Sequence, residues 1–131
     1  MISSRSYTPL REQQQQQHSS SQLVRVEILE VPKDTEKVYP KKGQRVAVHY
    51  TGFLADGTQF DSTKSRGKPL VFRMGAEQVI PGLDYGVSKI SLGARAKLTI
   101  SPEMAYGEHG FPGLIPSSSK LIFDITVVAV K

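Results

Sequence analysis

The sequence predicts an α+β fold, an antiparallel sheet of about five strands laid over one short helix. Three observations predict it. Apolar and polar residues alternate in short runs between Leu23 and Val130, the signature of strands with one buried face. One run alone, IPGLDYGVSKI at residues 80–90, carries apolar residues at helical spacing. Turn signals built on Gly, Pro and Asp-Gly punctuate the runs.

The chain of 131 residues suffices for one domain and scarcely for two. Residues 1–22, MISSRSYTPLREQQQQQHSSSQ, hold almost no periodic apolar residues. Such a stretch buries too little surface to offset its ordering entropy, so it is expected to be a disordered tail, with the folded domain at residues 23–131. The domain opens with LVRVEILEV, which puts Val24, Val26 and Ile28 on one face. RVAVHYTGFL aligns Val46, Val48 and Tyr50, then Asp56-Gly57 signals a hairpin and TQFDS returns from it. LVFRM groups Leu70, Phe72 and Met74. The helix follows, with Leu83, Val87 and Ile90 on one side and Pro81 in its first turn. Gly82 and Gly86 lower its propensity, so packing must hold it. RAKLTI turns Ala96, Leu98 and Ile100 inward, and LIFDITVVAV closes with Leu121, Phe123, Ile125 and Val127 aligned.

Composition narrows the function. The formal charge is +5; Arg5, Arg11 and Glu12 give the tail +1 and leave +4 on the domain. Those cations flank turns or alternate with apolar residues, without the aromatic interleaving of a nucleic-acid groove, so no nucleic-acid partner is expected. Cysteine and tryptophan are absent, which excludes disulfides and cysteine nucleophiles. No signal peptide and no 18-residue apolar run is visible, so the expectation is a cytoplasmic or nuclear protein with no membrane partner. His18, His49 and His109 lack partners at metal-ligand spacing, so no metal site is expected. Neither a triad, a carboxylate pair nor a phosphate-binding glycine loop is recognisable.

A single helix over a sheet leaves part of the apolar face open as a candidate pocket. Tyr50, Phe60, Phe72, Val79, Ile80, Tyr106 and Phe123 sit near segment ends, where they either line that opening or belong to the core. Buried phenols need a partner for the hydroxyl, and Asp61 with Arg66 offers one, either as a site or as an ordinary ion pair. The loop AYGEHGFPGLIP at residues 105–116 is too rich in Gly and Pro for a helix or central strand. It is also apolar enough to cover something.

VAVHYTGFLADGTQFDST, VIPGLDYGV, GARAKLTISPEMAYGEHGFPGLIP and LIFDITVV together resemble the FKBP-type peptidyl-prolyl cis–trans isomerases, which bind tacrolimus and rapamycin. The resemblance runs in order from about Leu23 to Lys131 and implies a twisted sheet wrapped around a short helix. It also implies that an X–Pro bond rotates in a dry apolar pocket, assisting protein folding without a cofactor. By that resemblance Tyr50, Asp61, Phe72, Ile80, Tyr106 and Phe123 are the catalytic set. Phe60, Arg66, Leu70, Gln78, Val79, Leu83, Phe111, Leu114 and Ile115 bind substrate or drug, with Leu114 and Ile115 in the overhanging loop. The Ile80 N–H and the Tyr106 hydroxyl are implied to meet ligand carbonyls, while Asp61 orients Tyr50 and Arg66. Three positions depart from the family's pattern: Leu83 replaces a floor Trp, Leu70 a floor Phe, and Phe111 a frequent His at the loop tip. The first two should widen the pocket. Implied partners are prolyl peptides and proteins and macrolide immunosuppressants, taken up by a monomer. The alternative is a non-catalytic module that grips prolyl segments as a chaperone does, and Leu83 is the residue favouring it.

Overall fold

The computed structural model describes residues 23–131; the expected tail, residues 1–22, lies outside the described residues. Six strands form one antiparallel sheet: β1 (Val24–Glu30), β2 (Arg45–Leu54), β3 (Gln59–Ser62), β4 (Leu70–Arg73), β5 (Arg95–Ile100) and β6 (Leu121–Val130). Their spatial order is β1-β5-β6-β2-β3, with β4 also on β2. β3 pairs with β2 at Thr51–Phe53 and β4 pairs with it at Arg45–Val48. The two therefore lie end to end along one edge, which is how six strands fill about five places.

Between them sits α1 (Thr63–Arg66), a one-turn helix that the sequence reading did not expect. One turn is too short to show a period. Its signals are its ends: the Ser62 side chain accepts from the Lys64 N–H, and Gly67 closes it at φ 74°. The longer α2 (Pro81–Val87) starts with Pro81 and buries Leu83 and Val87. It lies so close to β5 that a Cβ on Gly86 would fall 2.6 Å from Leu98 Cδ1, and one on Gly82 would collide with Ile100. The two glycines weaken the isolated helix and at the same time permit this approach.

Val46, Val48, Ala96, Leu98, Ile100, Leu121, Phe123, Ile125 and Val127 fill the space between sheet and helix, as the alternation predicts. Each large aliphatic among them contributes about 1.5–3 kcal/mol by leaving water. Ile28 shares the face of Val24 and Val26, as expected, and pairs with the buried Ala96, yet it is 46% exposed.

Candidate functional site

The site begins at an irregularity in β3. Gly52 pairs with Asp61, but Phe53 pairs with Gln59, which leaves Phe60 as an extra residue without a partner on β2. In a regular strand Phe60 and Asp61 would point to opposite faces. The bulge turns both toward the inner side of the sheet. Asp61 there receives the Tyr50 hydroxyl on Oδ2 at 2.5 Å, while its Oδ1 accepts from Arg66 Nη1 at 2.7 Å and from the Ser62 N–H at 2.8 Å. Arg66 Nη2 also donates to the Tyr50 hydroxyl, at 3.3 Å. Tyr50, Asp61 and Arg66 thus close a ring of hydrogen bonds drawn from β2, β3 and α1.

An aromatic cluster adjoins it. Phe123 meets Tyr50 edge-on at a centroid distance of 5.4 Å and Phe60 at 5.7 Å. The rings converge over Gly52, where a Cβ would lie 2.7 Å from Phe60 Cζ and 3.1 Å from Phe123 Cε2. Gly52 is a site position that the sequence reading missed. Phe72, Ile80 and Leu83 are buried in the same core cluster, and Leu70 and Val79 pack half-buried against it.

Two donors border this apolar surface. Ile80 caps α2, its carbonyl accepting from the Leu83 and Asp84 N–H groups, while its own N–H has no acceptor among the described residues. The Tyr106 hydroxyl likewise has no partner among the described residues, although its ring meets Phe111 edge-on at 5.7 Å. Residues 110–115 fold back on themselves: Phe111 and Ile115 exchange backbone bonds of 2.8 Å in each direction. Gly110, at φ 64°, makes that return possible, since a side chain there would collide with the Ile115 carbonyl. Ile115 is buried, whereas Phe111 and Leu114 are 44% and 45% exposed.

Burial, and next the bond to Asp61, pushes the Tyr50 phenol up to about 12. Burial alone would raise the Asp61 carboxyl. Hydrogen bonds from Tyr50, Arg66 and the Ser62 backbone outweigh it and hold Asp61 below the usual carboxylate range. Tyr106 is raised by burial and then by the Asp61 charge, so the carboxylate acts on both phenols. The arrangement is an apolar cluster with an ionised carboxylate held by three donors at one side and two unused donors at another. No cluster of three or more His, Cys, Asp or Glu side chains occurs among the described residues. No helix among them is long and apolar enough to cross a membrane.

The model of the FKBP-type peptidyl-prolyl cis-trans isomerase family matches residues 36–128. The chain is 48% identical over 106 residues to the peptidyl-prolyl cis-trans isomerase Fkbp12 of Drosophila melanogaster, covering 81% of this chain and 98% of that one. It is 52% identical over 93 residues to a peptidyl-prolyl cis-trans isomerase of Schizosaccharomyces pombe, covering 71% and 83%. It is 50% identical over 95 residues to FK506-binding protein 1 of Yarrowia lipolytica, covering 72% and 88%. The chain belongs to the FKBP-type peptidyl-prolyl cis-trans isomerases. It is an enzyme of X–Pro bond rotation, which favours the catalytic over the chaperone reading.

In this FKBP-type isomerase the expected site residues fall into three groups. Tyr50, Phe60, Asp61, Arg66 and Phe123 are in direct contact, and Phe72, Ile80, Leu83, Leu70, Val79, Ile115 and Tyr106 share their core cluster. Gln78 and Leu114 are exposed; the Gln78 side-chain oxygen accepts from the Arg73 N–H at 2.9 Å, bracing the turn after β4.

Proposed function

We propose that this isomerase turns the X–Pro bond over the surface formed by Tyr50, Phe60, Phe72, Leu83 and Phe123, within residues 23–131. An X–Pro amide favours trans by only about 0.5–1 kcal/mol, but rotation breaks resonance over a barrier of about 18–20 kcal/mol. The planar amide is more polar than the twisted one, and water stabilises it. Transfer to a dry aromatic surface removes that advantage, so the twisted form is bound more tightly than the planar one. Each tenfold acceleration requires about 1.4 kcal/mol of that difference. The Ile80 N–H and the Tyr106 hydroxyl hold ligand carbonyls on either side of the bond. Asp61, kept ionised by its three donors, faces the twisted carbonyl carbon, which carries partial positive charge.

The observation that carries this reading is the pair of unused donors, Ile80 N–H and Tyr106 O–H, beside an otherwise apolar cluster. Donors left free at the edge of an apolar cluster are available to ligand carbonyls, and the Tyr106 hydroxyl is reached from solvent rather than sealed in. The same surface accommodates macrolides that present a prolyl-like ring, with Leu83 and Leu70 giving a floor less aromatic than the family's usual one. Phe111, Leu114 and Ile115 cover the bound segment, and Gln78 and Val79 line its entry.

Two-dimensional NMR with a Leu-Pro tetrapeptide tests the assignment. Exchange cross-peaks should grow with enzyme, and the shifted resonances should be those of Tyr50, Phe60, Ile80, Tyr106 and Phe123. A rapamycin-like macrolide should abolish both effects at one equivalent. Shifts elsewhere, or peptide exchange that persists beside bound macrolide, would overturn it.

A further inference from the structure

Thr63 opens α1 and is fully buried. Its hydroxyl works behind the site rather than in it. Oγ1 accepts from the Tyr50 N–H at 2.9 Å, lies 3.2 Å from the Tyr50 carbonyl oxygen as a donor, and stands 2.9 Å from His49 Nδ1. Three residues on, Arg66 holds Asp61 and the Tyr50 hydroxyl. Tyr50 is therefore gripped twice by the same turn: its main chain by the first residue of α1, its phenol by the last.

The sheet alone does not provide this grip. β3 ends at Ser62, so from Thr63 onward no ladder ties the chain to β2 until Leu70. Over that gap the Thr63 hydroxyl joins the first residue of α1 to the main chain of β2, and Arg66 joins its last residue to the Tyr50 phenol. A hydroxyl offers one donor and two acceptor sites. If His49 carries its proton on Nδ1, Thr63 accepts from His49 and from the Tyr50 N–H and donates to the Tyr50 carbonyl, and every capacity is used. If Nδ1 is bare, the single hydroxyl proton is drawn to His49 and the Tyr50 carbonyl loses it. The first arrangement is the complete one.

We infer that Thr63, braced by His49 Nδ1–H, is a positioning residue for the isomerase site: it sets α1 against β2 so that Arg66 and Asp61 meet the Tyr50 phenol. This inference rests on the proposed roles of Tyr50 and Asp61 in turnover.

The test compares Thr63→Val, which keeps volume and loses the hydroxyl, with Thr63→Ser, which keeps the hydroxyl. Two readouts are taken on the full chain: kcat/KM for a Leu-Pro peptide, and the titration of the Tyr50 phenol followed through ring-13C-labelled tyrosine. Thr63→Val should lower kcat/KM about three- to tenfold, the loss of one or two ordinary hydrogen bonds' worth of alignment. Its phenol midpoint should move from the wild-type value, because the Asp61 bond that raises it and the Arg66 bond that lowers it are both rearranged while burial, the largest cause, stays. Thr63→Ser should restore both. Ile90→Val, a core change outside the clamp, controls for stability by lowering the melting temperature with the phenol unmoved. A Thr63→Val protein that melts earlier but keeps both readouts would overturn the inference. If Thr63→Val does not fold, His49→Leu decides: an unmoved phenol there also overturns it. Asp61→Asn separates this failure from that of the underlying assignment, since unchanged turnover in Asp61→Asn would sink the roles of Tyr50 and Asp61 themselves.

Discussion

Tyr106 holds its phenol half out of water with no partner among the described residues, next to a ring contact with Phe111. Tyr106→Phe deletes that donor and nothing else. Peptide and macrolide binding should weaken by about 0.5–1.5 kcal/mol with the melting temperature unchanged, which calorimetry and a thermal scan measure together. Gly52 makes the opposite point, since there the absence of a side chain is what the site needs. Gly52→Ala pushes a methyl into Phe60 and Phe123 and should cost about 1–3 kcal/mol of stability. It should also lower kcat/KM, because the rings that move are those proposed to face the X–Pro bond; full activity in an assay of the variant would place the two rings away from the substrate. At this scale the sequence was legible for side chains that hydrogen-bond to one another. Tyr50, Asp61 and Arg66 could be picked out as a hydroxyl, a carboxylate and a guanidinium near one another in the chain. Gly52 and Thr63 could not, because their importance lies in what approaches them from other strands, and a single chain does not display that.

The elements show where periodicity stops being informative. The alternation in β2, β5 and β6 assigns the buried faces correctly, since two-residue periods survive as long as the ladder is regular. It does not foresee the bulge at Phe60, which breaks the period and in doing so gathers Phe60 and Asp61 on one side. Nor does it foresee α1, whose one turn offers only a Ser and a Gly as end marks. Helix propensity misleads at α2 if it is read alone. Ala is better than Gly inside a helix by about 0.8–1.0 kcal/mol, which argues for Gly86→Ala as a stabilising change. The approach of Leu98 argues against it, and overpacking typically costs about 1–3 kcal/mol. The steric term wins. Gly86→Ala should lower the denaturant midpoint, and a raised midpoint would show that α2 can lift from β5 freely.

For the whole molecule, the perturbed groups set how stability responds to pH. Asp61 and Asp124 are held below the usual carboxylate range in the fold: Asp61 by its donors against the pull of burial, Asp124 first by its hydrogen bonds with Arg95. Their contribution is complete above about pH 4 and is lost as pH falls through the folded-state values. Tyr50 behaves in the opposite sense. Its stabilisation is fully present below pH 10 and disappears as pH rises toward about 12. Denaturant melts across pH should therefore show an acid shoulder and an alkaline one, and Tyr50→Phe should shrink the alkaline shoulder to the share left by Tyr106, which is also raised, while leaving the acid loss from Asp124. An alkaline shoulder of undiminished size in that variant would place its origin outside Tyr50.

The order of the strands has a temporal consequence. Val24 pairs with Ile100, and Leu54 with Leu121, so the central ladders join residues far apart in the chain. Only the turn at Asp56-Gly57 brings strands together at short range. Closing long loops costs entropy before any contact returns it, and chains built this way reach their native state in about milliseconds to seconds rather than microseconds. The bulge at Phe60 and the grip of Thr63 on Tyr50 form across the short-range β2–β3 pair, but the meeting of Tyr50 and Phe60 with Phe123 waits for β2 to find β6. Catalytic competence should therefore arrive in the final kinetic phase of refolding, with no partially active species before it.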